Sequence, residues 1–231
     1  MTAGSVVWDV RDAVMTVTLH RPGKLNAIDT ALARELLDAI HTAAKRDDVR
    51  VVLLRGEGRA FCAGRDVTHA PTDEDLVLVQ AVSAALVELP KPVVAAVHGW
   101  TLGAGLEWMM NADVVIAAQG TRFRLPEASL GVFVTGGLTA TLQACAGIGR
   151  AKALMLLGQE FSAAQAHEWG LVWEVVPDTE LQAAGERLCA QLAALAPPVA
   201  REFKRVLNEV GLAQFKRAIE LENTAQRALQ G

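Results

Sequence analysis

Apolar residues in the first half of the chain fall into short dense runs separated by stretches with helical spacing. Val6 to Asp12 and Ala13 to His20 are rich in β-branched residues and meet near Asp12, which predicts two strands joined by a tight turn. Arg21-Pro22-Gly23-Lys24 breaks that pattern. Asp29 reads as an N-cap, and Leu32, Leu36, Leu37 and Ile40 follow at helical spacing up to about Arg46. Val49 to Leu54 is almost wholly apolar and ends at Gly56 and Gly58, the pattern of a strand buried on both faces of a parallel sheet. The cycle then repeats. A loop through Cys62-Ala63-Gly64-Arg65-Asp66 leads to a helix over Asp73 to Glu88, stopped by Pro90-Lys91-Pro92. A buried strand, Val93 to Val97, follows. Gly99 to Gly105 turns the chain into a helix carrying Leu106, Trp108, Met109 and Met110, and Val114 to Ala118 is the next strand. This alternation predicts an α/β fold in layers.

From Gly136 onward the pattern is helical. Helices are predicted over Leu138–Ala146, Ala151–Leu157, Ala163–Glu168, Glu180–Leu195, Val199–Val210 and Leu212–Leu229, and only Leu171 to Val176 still reads as a strand. The expected division is a sheet-rich core over residues 1–190 and a helical C-terminal region over 191–231.

Composition narrows the function classes. A chain of 231 residues with 52% apolar content can bury a sizeable core. With 22 basic against 26 acidic side chains, the net charge of −4 argues against a nucleic-acid partner. Three cysteines with no CxxC spacing argue against a disulfide framework or zinc knuckle. The five histidines, at 20, 41, 69, 98 and 167, are scattered without an HExxH pair, so no metal is expected. His98, beside the glycine-rich turn, is the one of interest. No basic segment followed by an apolar run opens the chain, and no stretch approaches the ~18 apolar residues of a membrane span. The expectation is a cytoplasmic protein with no membrane partner.

Three segments carry candidate chemistry. In Ala60-Phe61-Cys62-Ala63-Gly64-Arg65-Asp66, Gly64 allows an unusual backbone, and small neighbours would let a ligand reach main-chain N–H groups; an ordinary connecting loop reads the same way. In Gly99-Trp100-Thr101-Leu102-Gly103-Ala104-Gly105-Leu106-Glu107, glycines open a helix whose first N–H groups could face a developing oxyanion. The spacing is neither GxGxxG nor a P-loop. Glu107 stands in an apolar stretch, where desolvation would raise its pKa toward the range useful for proton transfer; the alternative is a carboxylate that reaches solvent or an arginine. The third segment, Phe123 to Gly131 with Val132-Phe133-Val134-Thr135-Gly136-Gly137 after it, offers a second carboxylate, Glu127. Two carboxylates near one water can divide acid and base work.

Taken in order, these segments resemble the crotonase, or enoyl-CoA hydratase/isomerase, family. The resemblance runs from Arg21-Pro22-Gly23-Lys24-Leu25-Asn26-Ala27 and Ala60 to Asp66, through Lys91 to Gly99, Leu102 to Glu107, Asp113 and Pro126-Glu127 through Gly131, to Gly170-Leu171-Val172 and Val175-Val176-Pro177. It implies a spiral of ββα turns with a helical trimerisation region, assembled as a homotrimer or a dimer of trimers. It further implies an oxyanion hole from the backbone N–H groups of Arg65 and Ala104, and an acyl-CoA thioester bound at Lys24, Leu25, Ala63, Gly64, Asp66, Val67, Gly103 and Thr135, with no cofactor beyond the coenzyme A of the substrate. Glu107 and Glu127 match the family's paired glutamates, which implies addition of water to a 2-enoyl-CoA. Departures are Ala104 in place of a glycine, the bulk of Arg65, and Val134-Thr135-Gly136-Gly137 in place of a proline- and glycine-rich run. Double-bond isomerisation or another enolate-forming reaction remains open on this resemblance, as does a non-catalytic binding role.

Overall fold

The computed structural model describes residues 4–68 and 72–230, so His69 among the five histidines, and the chain end at Gly231, lie outside the described residues. Strands β1 (Val6–Arg11) and β2 (Val14–Leu19) form an antiparallel hairpin whose turn residues Asp12 and Ala13 both take positive φ. Helix α1 (Thr30–Lys45) starts where predicted, with the Asp29 side chain accepting the N–H of Leu32.

Three ββα turns follow. They are β3 (Val51–Gly56), β4 (Ala60–Cys62) and α2 (Asp73–Glu88); β5 (Val93–Val97), β6 (Trp100–Leu102) and α3 (Ala104–Met110); then β7 (Val114–Ala118), β8 (Arg122–Arg124) and α4 (Leu138–Leu157). The first strand of each turn joins one sheet and the second joins another. β9 (Phe161–Ser162), α5 (Ala163–Glu168) and β10 (Glu174–Val176) complete the two sheets, which run β1-β2-β3-β5-β7-β10 and β4-β6-β8-β9. From β2 to β10 the larger sheet is parallel.

The second sheet departs from the sequence expectation. Ala60–Cys62 and Trp100–Leu102 lie in segments expected to be loop and turn, yet they pair in parallel, as do Trp100–Leu102 and Arg122–Arg124. Strands of two or three residues are too short to show alternation. Leu138–Ala146 and Ala151–Leu157, predicted as separate helices, run on across a kink at Gly147 (φ 75°, ψ 156°), and the late strand shrinks to Glu174–Val176.

The larger sheet is covered on both faces, as its unbroken apolar strands require. Val52 and Leu54 of β3 face the main core with Leu32, Leu36, Phe61 and Trp108, whereas Val51 and Leu53 face helix α6 (Leu181–Ala193) through Leu181, Ala184 and Leu188. Helices α7 (Pro197–Gly211) and α8 (Phe215–Gln230) end the chain. Lys204 anchors α7: its buried ammonium donates to Asp113 at 2.8 Å and to the Leu86 carbonyl at 2.9 Å. No helix among the described residues is long and apolar enough to cross a membrane.

Candidate active site

Two backbone turns meet at the start of α3. Gly64 has φ +83°, and a Cβ there would stand 3.0 Å from the Leu102 carbonyl oxygen and 3.7 Å from the Ala104 nitrogen. Only a glycine lets these segments approach so closely. Ile28 donates to the Gly64 carbonyl and accepts from Asp66, each at 2.8 Å, so the intervening Arg65 N–H faces away from Ile28. Ala104 opens α3, where an N–H has no intrahelical acceptor. Neither N–H has an acceptor among the described residues. The positive φ of the turn falls on Gly103 (φ 48°), not on Ala104, so the alanine carries no backbone strain.

Arg65 and Ala104 border a cavity of about 490 Å³, and Glu107 and Glu127 line the same cavity. Leu76, Val79, Leu130, Val132 and Phe133 supply its apolar wall. Of the other sequence-predicted contacts, Ala63, Gly64, Asp66, Val67, Gly103 and Thr135 line it. Lys24 and Leu25 do not: Lys24 is exposed, and Leu25, in a left-handed conformation, accepts the Ala63 N–H at 3.0 Å. Asp66 is tied to Arg21 and Thr68, which hold its carboxyl down to about 2, with Thr68 the stronger influence. The Arg65 side chain reaches toward α2, where Asp75 lies 3.9 Å away.

Glu107 is 2% exposed. Its Oε2 accepts the N–H of Thr135 at 3.1 Å and that of Gly136. The altered Val134–Gly137 segment is therefore the cradle of this carboxylate. A Cβ on Gly136 would stand 2.7 Å from Glu107 Oε2 and 2.6 Å from Ser83 Oγ, so glycine is required there. Burial first, then the charges of Glu127 and Glu222, push Glu107 well above the usual carboxylate range, against the pull of the two backbone donors. Burial lifts Glu127 to about 7, and its Oε2 is buried with no hydrogen-bond partner among the described residues.

Three further polar side chains near these segments have structural partners instead. The ring of His98 meets the Gly58 carbonyl at 2.9 Å, outside this cavity. Arg124 donates to the Gly158 carbonyl. Cys62 is buried with its thiol against the Asn26 carbonyl, and burial pushes it up to about 12, which suits a packed thiol and not a nucleophile. No cluster of potential metal ligands occurs among the described residues.

Two residues of α8 also reach the site and were not singled out from sequence. Gln226 lines the cavity and accepts the Phe133 N–H at 2.6 Å, and Glu222, 1% exposed, accepts the Gly137 N–H at 2.8 Å. Phe215, Ala218, Glu222 and Gln226 form the buried stripe of α8 at helical spacing. Polar residues on a core-facing stripe were the available signal.

A spiral of ββα turns with paired glutamates beside two free backbone donors defines a chain of the crotonase class. An enoyl-CoA hydratase structure from Mycobacterium avium subsp. paratuberculosis K-10 superposes with a TM-score of 0.92 at 30% identity, covering 98% of this chain and 90% of that one. The enoyl-CoA hydratase/isomerase family model matches residues 9–230, and the chain belongs to that family. Among relatives, the 1,2-epoxyphenylacetyl-CoA isomerase of Escherichia coli K12 is 35% identical over 228 residues, 94% of this chain and 87% of that protein. A probable enoyl-CoA hydratase of Rhodobacter capsulatus is 33% identical over 199 residues, 84% of this chain and 77% of that protein.

Proposed function

We propose that the chain is an enoyl-CoA hydratase, adding water across the conjugated double bond of a 2-enoyl-CoA thioester. The observation that carries this reading is the placement of Glu107 and Glu127 on one cavity with the Arg65 and Ala104 N–H groups. In this reading the thioester oxygen accepts from those two donors, and negative charge grows on it as water adds at the β carbon. A donor of this kind contributes about 3 kcal/mol to the transition state. One carboxylate of the pair takes a proton from water while the other delivers one to the α carbon, and the raised pKa values of both suit proton transfer of this kind. No further cofactor enters the reaction. In this reading coenzyme A lies along Ala63, Asp66 and Val67, which line the cavity, and reaches outward to Lys24 and Leu25 beside it. Exposed Phe203, Leu207 and Val210 on α7 support assembly as a homotrimer or dimer of trimers. The reading also takes the enzyme to be cytoplasmic.

Double-bond isomerisation is the second reading. It is favoured by Glu127, which carries an unpartnered oxygen and a pKa of about 7 and could shuttle a proton alone. Incubation with crotonyl-CoA and longer 2-enoyl-CoAs, following loss of the conjugated thioester absorbance, tests the choice. Hydration is expected. Conversion of 3-enoyl-CoA to 2-enoyl-CoA with no hydration at any chain length would reject the first reading for the second.

A further inference from the structure

The segment from Thr135 to Thr139 is shared by two buried carboxylates. Thr135 and Gly136 give their N–H groups to Glu107, while Gly137 and Thr139 give theirs to Glu222, each of the latter at 2.8 Å, and the Thr139 hydroxyl donates to Glu222 at 2.6 Å. Gly137 is the N-cap of α4 (φ 80°) and has no side chain with which to cap it. Glu222 supplies the missing acceptor from α8, where the partial positive charge of the helix end stabilises it. Among the described residues no ion pair involves Glu222; Lys216 and Arg217 on its own helix pair with Glu88 and Glu220 instead. One turn further along α8, Gln226 holds the Phe133 N–H at the other end of the same loop. The loop that cradles Glu107 is thus fixed from behind by one helix face.

We infer that Glu222 is a positioning residue of the acid–base pair, holding the 135–139 turn so that Thr135 and Gly136 aim their N–H groups at Glu107. The inference rests on the reading of Glu107 as a reacting group. Glu222 does not line the cavity, so it acts on Glu107 and the turn and not on substrate. Its carboxylate also lies close enough to Glu107 for its charge to favour the protonated form there. A residue that only capped α4 would leave catalysis untouched once the helix was formed.

The test uses Glu222→Gln in the full chain. The change keeps the shape but sets an amide NH2 against one of the donors at Gly137 or Thr139. The expected result is an unchanged circular dichroism spectrum and faster hydrogen exchange at the Thr135 and Gly136 amides, by about tenfold or more, with β5 amides unaffected. With crotonyl-CoA, kcat should fall about 10- to 100-fold, the usual effect of losing a group that orients a reacting one, while KM stays within about threefold. In a Glu107→Gln background the same substitution should cause no further loss, because the effect runs through Glu107. Unchanged kcat, or a loss that multiplies with that of Glu107→Gln, would overturn the inference and leave the hydratase reading standing. A wild type inert toward every enoyl thioester would sink that reading instead. The exchange arm then decides, and unaltered Thr135 and Gly136 amides reject the positioning role. If Glu222→Gln fails to fold, Thr139→Val removes the hydroxyl donor alone and should show the same pattern at smaller amplitude.

Discussion

Gly103 and Glu127 lie so close that a Cβ on the glycine would stand 2.6 Å from Glu127 Oε1. This contact sets the second carboxylate directly beside the residue whose successor, Ala104, opens α3. It also explains why the turn keeps a glycine at 103 and tolerates an alanine at 104.

Gly103→Ala should therefore be far more damaging to activity than to folding. The φ of +48° and ψ of −125° add strain of about 1 to 3 kcal/mol for any residue with a Cβ. The methyl group must also displace Glu127, and a shift of about 1 Å in a reacting group can lower kcat about 100-fold. Steady-state kinetics beside thermal melts would check this. A variant with wild-type kcat would show that Glu127 is not held by this contact.

Glu127→Gln should lower kcat by about 100- to 10,000-fold while stabilising the protein at alkaline pH. The sign follows from the raised pKa. Below about 4.5 the carboxyl is protonated in both folded and unfolded chains, and its contribution to stability is complete; between there and about 7 the unfolded chain ionises while the folded one keeps its proton, so stability falls. The neutral amide escapes that loss, a gain of about 3 kcal/mol at pH 8 that fades toward pH 4.5. Denaturant titrations of both proteins at the two pH values measure it, and an equal difference at both would contradict the assignment.

Lys204→Ala should cost about 1 to 3 kcal/mol, since it leaves the Leu86 and Lys91 carbonyls without their donor and removes the ammonium from Asp113, which keeps the Val93 N–H and is partly open to solvent. Urea unfolding is the measurement. A loss under about 1 kcal/mol would mean that α7 is held by its apolar contacts alone.

Thiol counting offers a check on the core. Cys62 and Cys189 are fully buried, each with its thiol pushed up to about 12, whereas Cys145 is exposed. A disulfide reagent should modify one thiol quickly in the native protein and all three after denaturation. Rapid reaction of a second thiol would place Cys62 or Cys189 nearer to solvent.

The parts of the fold that were legible in the sequence are those in which a pattern runs for five residues or more. Val93–Val97, Val114–Ala118 and Asp73–Glu88 have the expected bounds because each is a long run with a stop or cap at its end. The second sheet was not legible, because Ala60–Cys62 and Phe161–Ser162 are shorter than the repeat that would reveal them. Glu107 and Glu127 were legible singly, each as a carboxylate in an apolar or glycine-rich setting, but their shared cavity is a product of the fold. Glu222 was hidden for another reason: α8 is otherwise rich in charged residues, so one more glutamate among Arg217, Glu220 and Arg227 looks like part of a solvated face. Only its phase with Phe215 and Ala218 marks it as inward.

That phase has a practical meaning for anyone altering the protein. Adding or deleting one residue within α8 ahead of Glu222 would rotate everything beyond it by about 100° about the helix axis. Glu222 and Gln226 would then swing away together, and the loop under Glu107 would lose both of its rear supports without any change to a residue that meets substrate. Inserting a whole turn would restore the angle but carry both side chains about 5.4 Å along the axis and past their partners, so α8 has to match the loop in depth as well as in rotation.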